Sequence, residues 1–457
     1  MRKKIPESGL YDARPLGVPR MLVLGVQHMF AMFGATVLVP ALTGLSVSAT
    51  LLFAGLGTLL FHLLAKGKVP AFLGSSFAFI GGYQAIAPML PDAAGEMTVP
   101  NAEMLPYACF GVACAGLLYV VLAALFKAFG TKKVMRFFPP IVTGPVIICI
   151  GLSLSSSAIN NCQANWWIAL VAIAVVILAN IFGRGMIKII PILLGVVASY
   201  AVAAFTGNVD FTAVREASWI GLPFTWDSTV FGLFQRPDLN PSLLITAAVT
   251  IMPLALATMV EHIGDMCAIS STCSRSYLSD PGLHRTLLGD GLATSMAALF
   301  GAPANTTYGE NTGVLALSRV FDPRVIRIAA YLAILFSFSP KFEALVAAMP
   351  AATMGGVSMV LYGMISAVGV RNVVENKVDF TKSRNVLIAA LILVLSIGIS
   401  YSDIGAVRFA VGGVTISLSG LAVGALVGIV LNAILPGKDY EFGSDDQGDQ
   451  SVNFIIQ

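Results

Sequence analysis

Charge is what this sequence has least of. Asp, Glu, Lys and Arg make up 11% of its 457 residues, where a soluble domain carries roughly 25%. Hydrophobic residues make up 57%, more than one soluble core can hide, and so a soluble globular protein and a disordered chain are both excluded. Only six cysteines are present; none stands in a C-x-x-C pair, and most lie in or near apolar runs, where they read as small apolar fillers rather than a disulfide or metal framework. The net charge of +3 is too small and too dispersed to suggest nucleic acid. No H-E-x-x-H, phosphate-binding loop or G-x-S-x-G appears. The expectation is therefore no enzyme activity, no cofactor, no metal, and no ATP hydrolysis to drive transport.

What is present is a succession of apolar runs of about the 17–25 residues that cross a bilayer as a helix. They fall at about 21–41, 47–65, 69–89, 104–127, 135–158, 164–182, 187–206, 241–264, 286–300, 303–320, 325–347, 349–369, 385–401 and 412–435. The expected fold is thus an all-α integral membrane protein of about fourteen transmembrane helices. Basic residues collect on one side when crossings are counted from Arg2, Lys3, Lys4, Arg14 and Arg20. That side also holds Lys66 and Lys68, then Lys132, Lys133 and Arg136, then Arg184 and Lys188, then Arg371, Lys377, Lys382 and Arg384. The other side takes Asp92, Glu96 and Glu103, and the 207–240 loop, where acids outnumber bases. Basic loops stay inside, which puts both termini in the cytoplasm. Residues 1–20 lack the pattern of a cleavable signal and are expected to be a cytoplasmic segment. Residues 436–457 are expected to be an acidic cytoplasmic tail.

Two halves are expected, 21–206 and 241–435, joined by the extracellular loop 207–240. Phe138-Pro139-Pro140-Ile141-Val142-Thr143-Gly144 and Met349-Pro350-Ala351-Ala352-Thr353-Met354-Gly355 both open a span with proline and then, five residues after Pro139 or Pro350, glycine. Pro70-Ala71-Phe72-Leu73-Gly74-Ser75-Ser76-Phe77 and Pro303-Ala304-Asn305-Thr306-Thr307-Tyr308-Gly309-Glu310 open the third and tenth spans with polar, broken sequence. Seven spans per half is odd, so the halves must be inverted. Interrupted polar spans at the same place in inverted halves point to a carrier's midplane site, because irregular backbone at membrane depth survives only when buried in protein or lining a cavity. The bland alternative is a packing kink stitched by Ser and Thr.

Glu261, Asp265 and Glu310 lie inside apolar runs. Insertion scales charge roughly 2.5–3.5 kcal/mol for each central carboxylate, so three cost about 8–10 kcal/mol, comparable with a domain's net stability. Glu261 and Asp265 are four apart and share a helix face. Two like charges that close in low dielectric do not both ionise, which suits one of them to carry a proton. Asp290, after Gly289, reads as an N-cap. His262 sits beside Glu261 on another face, and His28 could bond a neighbouring helix as readily as a ligand. Phe77 and Tyr308 flank the polar breaks and would suit a planar ligand.

Several blocks together resemble one known family: His28-Met29-Phe30-Ala31-Met32-Phe33-Gly34-Ala35-Thr36, Phe72-Leu73-Gly74-Ser75-Ser76-Phe77-Ala78-Phe79, Val260-Glu261-His262-Ile263-Gly264-Asp265, Asp280-Pro281-Gly282-Leu283-His284-Arg285, and Asn305-Thr306-Thr307-Tyr308-Gly309-Glu310-Asn311-Thr312-Gly313. They resemble the nucleobase–ascorbate transporters (nucleobase:cation symporter-2), most of all the bacterial uracil permease branch, over essentially the whole chain. The resemblance implies two inverted seven-helix repeats sorted into core and gate domains, with short extended segments in spans 3 and 10. It also implies a homodimer in the cytoplasmic membrane, in contact with lipid, and import of uracil with protons. By similarity Glu261 and Glu310 hold the base, backbone at Phe77 and Gly309 adds contacts, and Tyr308 stands beside them. Glu261, Asp265 and Glu310 are the proton-coupling candidates; His28, Ser76 and Asn311 are candidates for support. One departure stands out. The uracil branch often has His where this chain has Asp265, while purine carriers have Glu-x-x-x-Asp there but Gln in place of Glu310. A xanthine or urate carrier is therefore the alternative, and an inorganic-anion carrier on a similar fold a more distant one.

Overall fold

The structure is a computed structural model that describes residues 9–91, 97–411 and 414–438. The tail beyond 438, the first basic residues and the acids Asp92 and Glu96 lie outside the described residues. Helices dominate, and local sequence explains many of their ends. Ser46, Asn165, Asn240, Asp322 and Ser419 each accept a hydrogen bond from the first-turn backbone of the helix that follows, satisfying donors that have no intrahelical partner. Pro140, Pro191, Pro241, Pro323 and Pro340 stand in first turns, where the missing N–H costs nothing. Gly44 closes the first long helix, Val18–Thr43, at φ 79° with its N–H on the Pro40 carbonyl.

Among the described residues, seven helices are long and apolar enough to cross a membrane, and eight when one sharply bent pair counts as a single span. Of four shorter apolar helices, three lie between them and one, Gly420–Ile434, follows the last. This is a multi-pass membrane protein. Every one of the fourteen expected spans contains helix, but several differ in form. The run at 325–347 bends by 88° between Pro323–Ser337 and Pro340–Ala347, where Ser339 caps the second piece ahead of Pro340. The run at 286–300 begins earlier, at Leu283. The helix bearing Glu261 runs Leu254–Thr272, past the expected end at 264, after a break at Met252-Pro253. The last span is corrected most: the expected helix over 412–435 is only Gly420–Ile434, and the strands Ala406–Val411 and Val414–Ser419 form a hairpin before it. The β-formers Val407 and Phe409 and the β-branched residues at 414–416 favour strand there, a signal that apolarity alone conceals.

The two broken spans resolve into short strands followed by helices. Leu73–Ser75 leads to a single 3-10 turn, Phe77–Phe79, and the helix Ile80–Ile86; Asn305–Thr307 leads to the helix Gly309–Ser318. The strands pair antiparallel, Leu73 opposite Thr307, Gly74 opposite Thr306 and Ser75 opposite Asn305. Two further backbone bonds extend the crossing, Ser76 N–H to Ala304 O at 2.8 Å and Tyr308 N–H to Phe72 O at 3.0 Å. Each strand thereby satisfies the other's exposed backbone, which in lipid costs several kcal/mol per group if left open. Surrounding helices seal it. Thr58 of Val47–Leu64 exchanges bonds with Leu73 N–H and O, Thr294 of Leu283–Leu299 donates to Asn305 O at 2.8 Å, and the Asn305 amide donates to Phe53 O at 3.0 Å. All six strand residues are buried.

Candidate functional site

The helix Leu254–Thr272 runs beside this crossing and carries Glu261 and Asp265 one turn apart. Thr307, last residue of the second strand, donates its hydroxyl to Asp265 Oδ2 at 2.8 Å. The next residue, Tyr308, turns its ring across the crossing and donates its hydroxyl to Ser75 O at 2.9 Å, with Thr36 Oγ1 at 3.4 Å. Gly74 is required beneath that ring: a Cβ there would stand 2.5 Å from the ring carbons of Tyr308 and 2.8 Å from Thr36 Oγ1. Glu310 follows in the first turn of Gly309–Ser318, where the helix's free N–H groups favour a negative charge.

These elements enclose a cavity of about 440 Å³ whose wall includes Phe77, Glu261, Asp265, Tyr308, Gly309 and Glu310. The strand crossing, two helices and an aromatic pair thus bring together the substrate-binding and coupling candidates read from the sequence. Phe77 is 6% and Tyr308 4% exposed, and the Phe77 ring meets Tyr362 edge-on at 5.7 Å. Glu261 Oε2 is buried without a hydrogen-bond partner among the described residues. A buried carboxylate oxygen with no donor is costly. Facing a cavity, it is an acceptor ready for a ligand's N–H. The wall as a whole offers carboxylate acceptors, backbone at Gly309 and one aromatic face, a set suited to a flat, uncharged donor–acceptor ring. Among the described residues no group of His, Cys, Asp and Glu is arranged to hold a metal ion, and none of the six cysteines is in a disulfide.

The three support candidates sit behind the wall. Asn311 donates its amide to His28 O and stands 3.1 Å from His28 Nδ1, joining Gly309–Ser318 to Val18–Thr43. Ser76 contributes its backbone to the crossing, and its hydroxyl is buried without a partner among the described residues. Two groups escaped the sequence reading. Lys188, Arg371 and Glu375 also reach the cavity wall; at helix ends they look like ordinary loop charges, and Arg371, exposed beside Glu375, joins the wall only because of where Ala351–Glu375 packs. The second is a correction. Asp290 is not an N-cap, because the helix starts seven residues earlier, after Gly282 at φ 94°. Its side chain is fully buried, with Oδ2 3.1 Å from His262 Nδ1.

The chain matches the model of the Permease family Xan_ur_permease over residues 19–405. It is 40% identical over 436 residues to the uracil permease of Bacillus subtilis, covering 92% of this chain and 94% of that one. Identity is 41% over 435 residues to the uracil permease of Bacillus caldolyticus, with 92% and 93% covered. With the putative pyrimidine permease RutG of Escherichia coli it is 36% over 446 residues, with 94% and 93% covered. In fold the chain is similar to SLC26A9, with a TM-score of 0.65 at 13% identity, covering 93% of this chain and 66% of that longer one. The transmembrane domain of the cyanobacterial bicarbonate transporter BicA gives a TM-score of 0.53 at 17% identity, with 90% and 96% covered.

Proposed function

The chain belongs to the nucleobase–ascorbate transporter family of permeases, and from that premise we propose that it is a proton-coupled symporter importing uracil across the cytoplasmic membrane by alternating access. The observation that carries this reading is the convergence of Glu261, Asp265 and Glu310 on one cavity at the strand crossing. Uracil presents two N–H donors and two C=O acceptors on a planar ring. Glu261 and Glu310 accept its N–H groups, backbone at Gly309 and Phe77 serves its carbonyls, and the ring lies against Phe77. Eight heavy atoms at a ceiling of about 1.5 kcal/mol each allow roughly 12 kcal/mol of binding, enough for micromolar affinity without unusual contacts.

Coupling is assigned to the same acids. Three carboxylates sharing one low-dielectric cavity cannot all carry charge, so a proton taken up from outside enters with the base and leaves with it. The drive is about 1.4 kcal/mol per pH unit plus about 2.3 kcal/mol per 100 mV. Fourteen crossings in two inverted repeats, 21–206 and 241–435, give this reading its frame, and the antiparallel meeting of one strand from each half supports it. The core domain carries the acids and the gate domain faces it, in a homodimer with both termini cytoplasmic. The cavity wall continues to Lys188 and Arg371, which belong to the basic turns, in keeping with an inward-open state.

A purine reading keeps one observation on its side, the Glu261-x-x-x-Asp265 spacing. Uptake of labelled uracil in the presence of excess xanthine separates the two: weak uracil uptake abolished by xanthine overturns the pyrimidine assignment. The function itself is tested by uracil uptake into proteoliposomes with and without an imposed inward proton gradient. Accumulation that collapses with a protonophore is expected, and uptake indifferent to the gradient removes proton coupling.

A further inference from the structure

The acid-bearing helix has a second polar face that no part of the proposed site uses. His262 follows Glu261, and neighbours on a helix point about 100° apart. While Glu261 lines the cavity, His262 turns toward Leu283–Leu299 and meets Asp290, both side chains 0% exposed and Nδ1 3.1 Å from Oδ2. Neither residue lines the cavity. The surroundings are apolar and aromatic: Phe61 lies edge-on to the imidazole at 6.3 Å, and Gly289, next to Asp290, packs against the same Phe61. One turn back along the acid-bearing helix, Thr258 accepts the Tyr119 hydroxyl at 2.6 Å. A buried Asp and His are each costly alone, and their placement side by side offsets part of that cost.

Leu283–Leu299 also holds the other half of the site. Thr294, four residues after Asp290 and so on the same face, donates to the carbonyl of Asn305 in the crossing strand. One helix thus fixes both the strand that delivers Thr307, Tyr308 and Glu310 and the helix that delivers Glu261 and Asp265. We propose that the His262–Asp290 pair is a positioning device: it sets the rotation of Leu254–Thr272 so that Glu261 and Asp265 face the cavity at the height of the crossing. His262 and Asp290 are positioning residues that act on substrate through Glu261, not by touching it.

The inference rests on the proposed uracil site, and the two fail differently. No uracil binding by the unmodified full-length protein sinks the site itself, whereas unmodified affinity in the variants sinks only the pair. Purified Asp290→Asn and His262→Gln, each measured for equilibrium uracil binding and thermal unfolding, are expected to bind about tenfold or more weakly, with Asp290→Glu recovering part of the loss. A double apolar variant, His262→Met with Asp290→Leu, separates positioning from glue. Replacing both partners of a buried pair by apolar groups commonly leaves stability intact. The double variant is therefore expected to unfold near the unmodified temperature and still bind uracil about tenfold weakly. Unmodified affinity in that variant means the pair only holds the fold together, and overturns the proposal. Should no variant fold, the unmodified protein decides: with ¹⁵N-labelled histidine, saturating uracil is expected to shift the imidazole signal of the ring beside Asp290, and no imidazole shift overturns the proposal.

Discussion

Of the three antiparallel strand pairs among the described residues, two have opposite characters. Ala406–Val411 and Val414–Ser419 pair as near neighbours in sequence, six residues to a side. Leu73–Ser75 and Asn305–Thr307 pair across more than half the chain, three residues to a side. The hairpin joins Ser383–Tyr401 to Gly420–Ile434 and lies against Pro241–Ile251, with Arg408 and Phe409 exposed. The short pair is buried and bonded to three separate helices, through Thr58, through Thr294, and from its own Thr307 to Asp265. A hairpin forms because local sequence favours it. A three-residue pairing has almost no local stability and persists because the packing around it leaves the backbone no other partner. The candidate site residues gather at the second kind, where open backbone and carboxylates share one cavity.

This contrast can be broken at its tightest point. Gly74→Val places a side chain into the Tyr308 ring, and overpacking of this kind costs roughly 1–3 kcal/mol or more. Uracil uptake by cells expressing matched amounts of protein is expected to fall about a hundredfold; retained uptake would show that the crossing tolerates separation. Thr307→Val removes only the hydroxyl on Asp265, worth about 1–2 kcal/mol for a bond to a charged or buried acceptor. A roughly tenfold weaker uptake with an altered pH profile is expected, and an unchanged profile would take Asp265 out of proton coupling. Arg408→Gln in the exposed hairpin is expected to stay within about twofold, as surface changes usually do. A large loss there would give the hairpin a role in transport that its position does not suggest.

Much of this was legible in the sequence for identifiable reasons. Apolar length located the helices, because the bilayer fixes how long a span must be. The cost of burying carboxylates singled out Glu261, Asp265 and Glu310, and proline and glycine among polar residues marked both breaks. Three features were not legible. The hairpin at 406–419 is as apolar as a helix. Asp290 mimicked a cap because Gly289 precedes it, while the true start depends on the turn at Gly282. Arg371 resembled a loop charge, and its approach to the cavity depends on tertiary packing alone. Burial costs are written in composition; the direction a side chain faces is set by neighbours far away in the chain.

The central claim is that Glu261 and Glu310, from separate segments, hold one base. Equilibrium binding of radiolabelled uracil to the purified protein, to Glu261→Gln, to Glu310→Gln and to the double variant tests it directly. A hydrogen bond from a ligand to a charged acceptor is worth roughly 1.5–3 kcal/mol, so each single variant is expected to bind about ten- to a hundredfold more weakly, and the double variant less weakly than the product of the two losses. Unmodified affinity in either single variant would contradict the account.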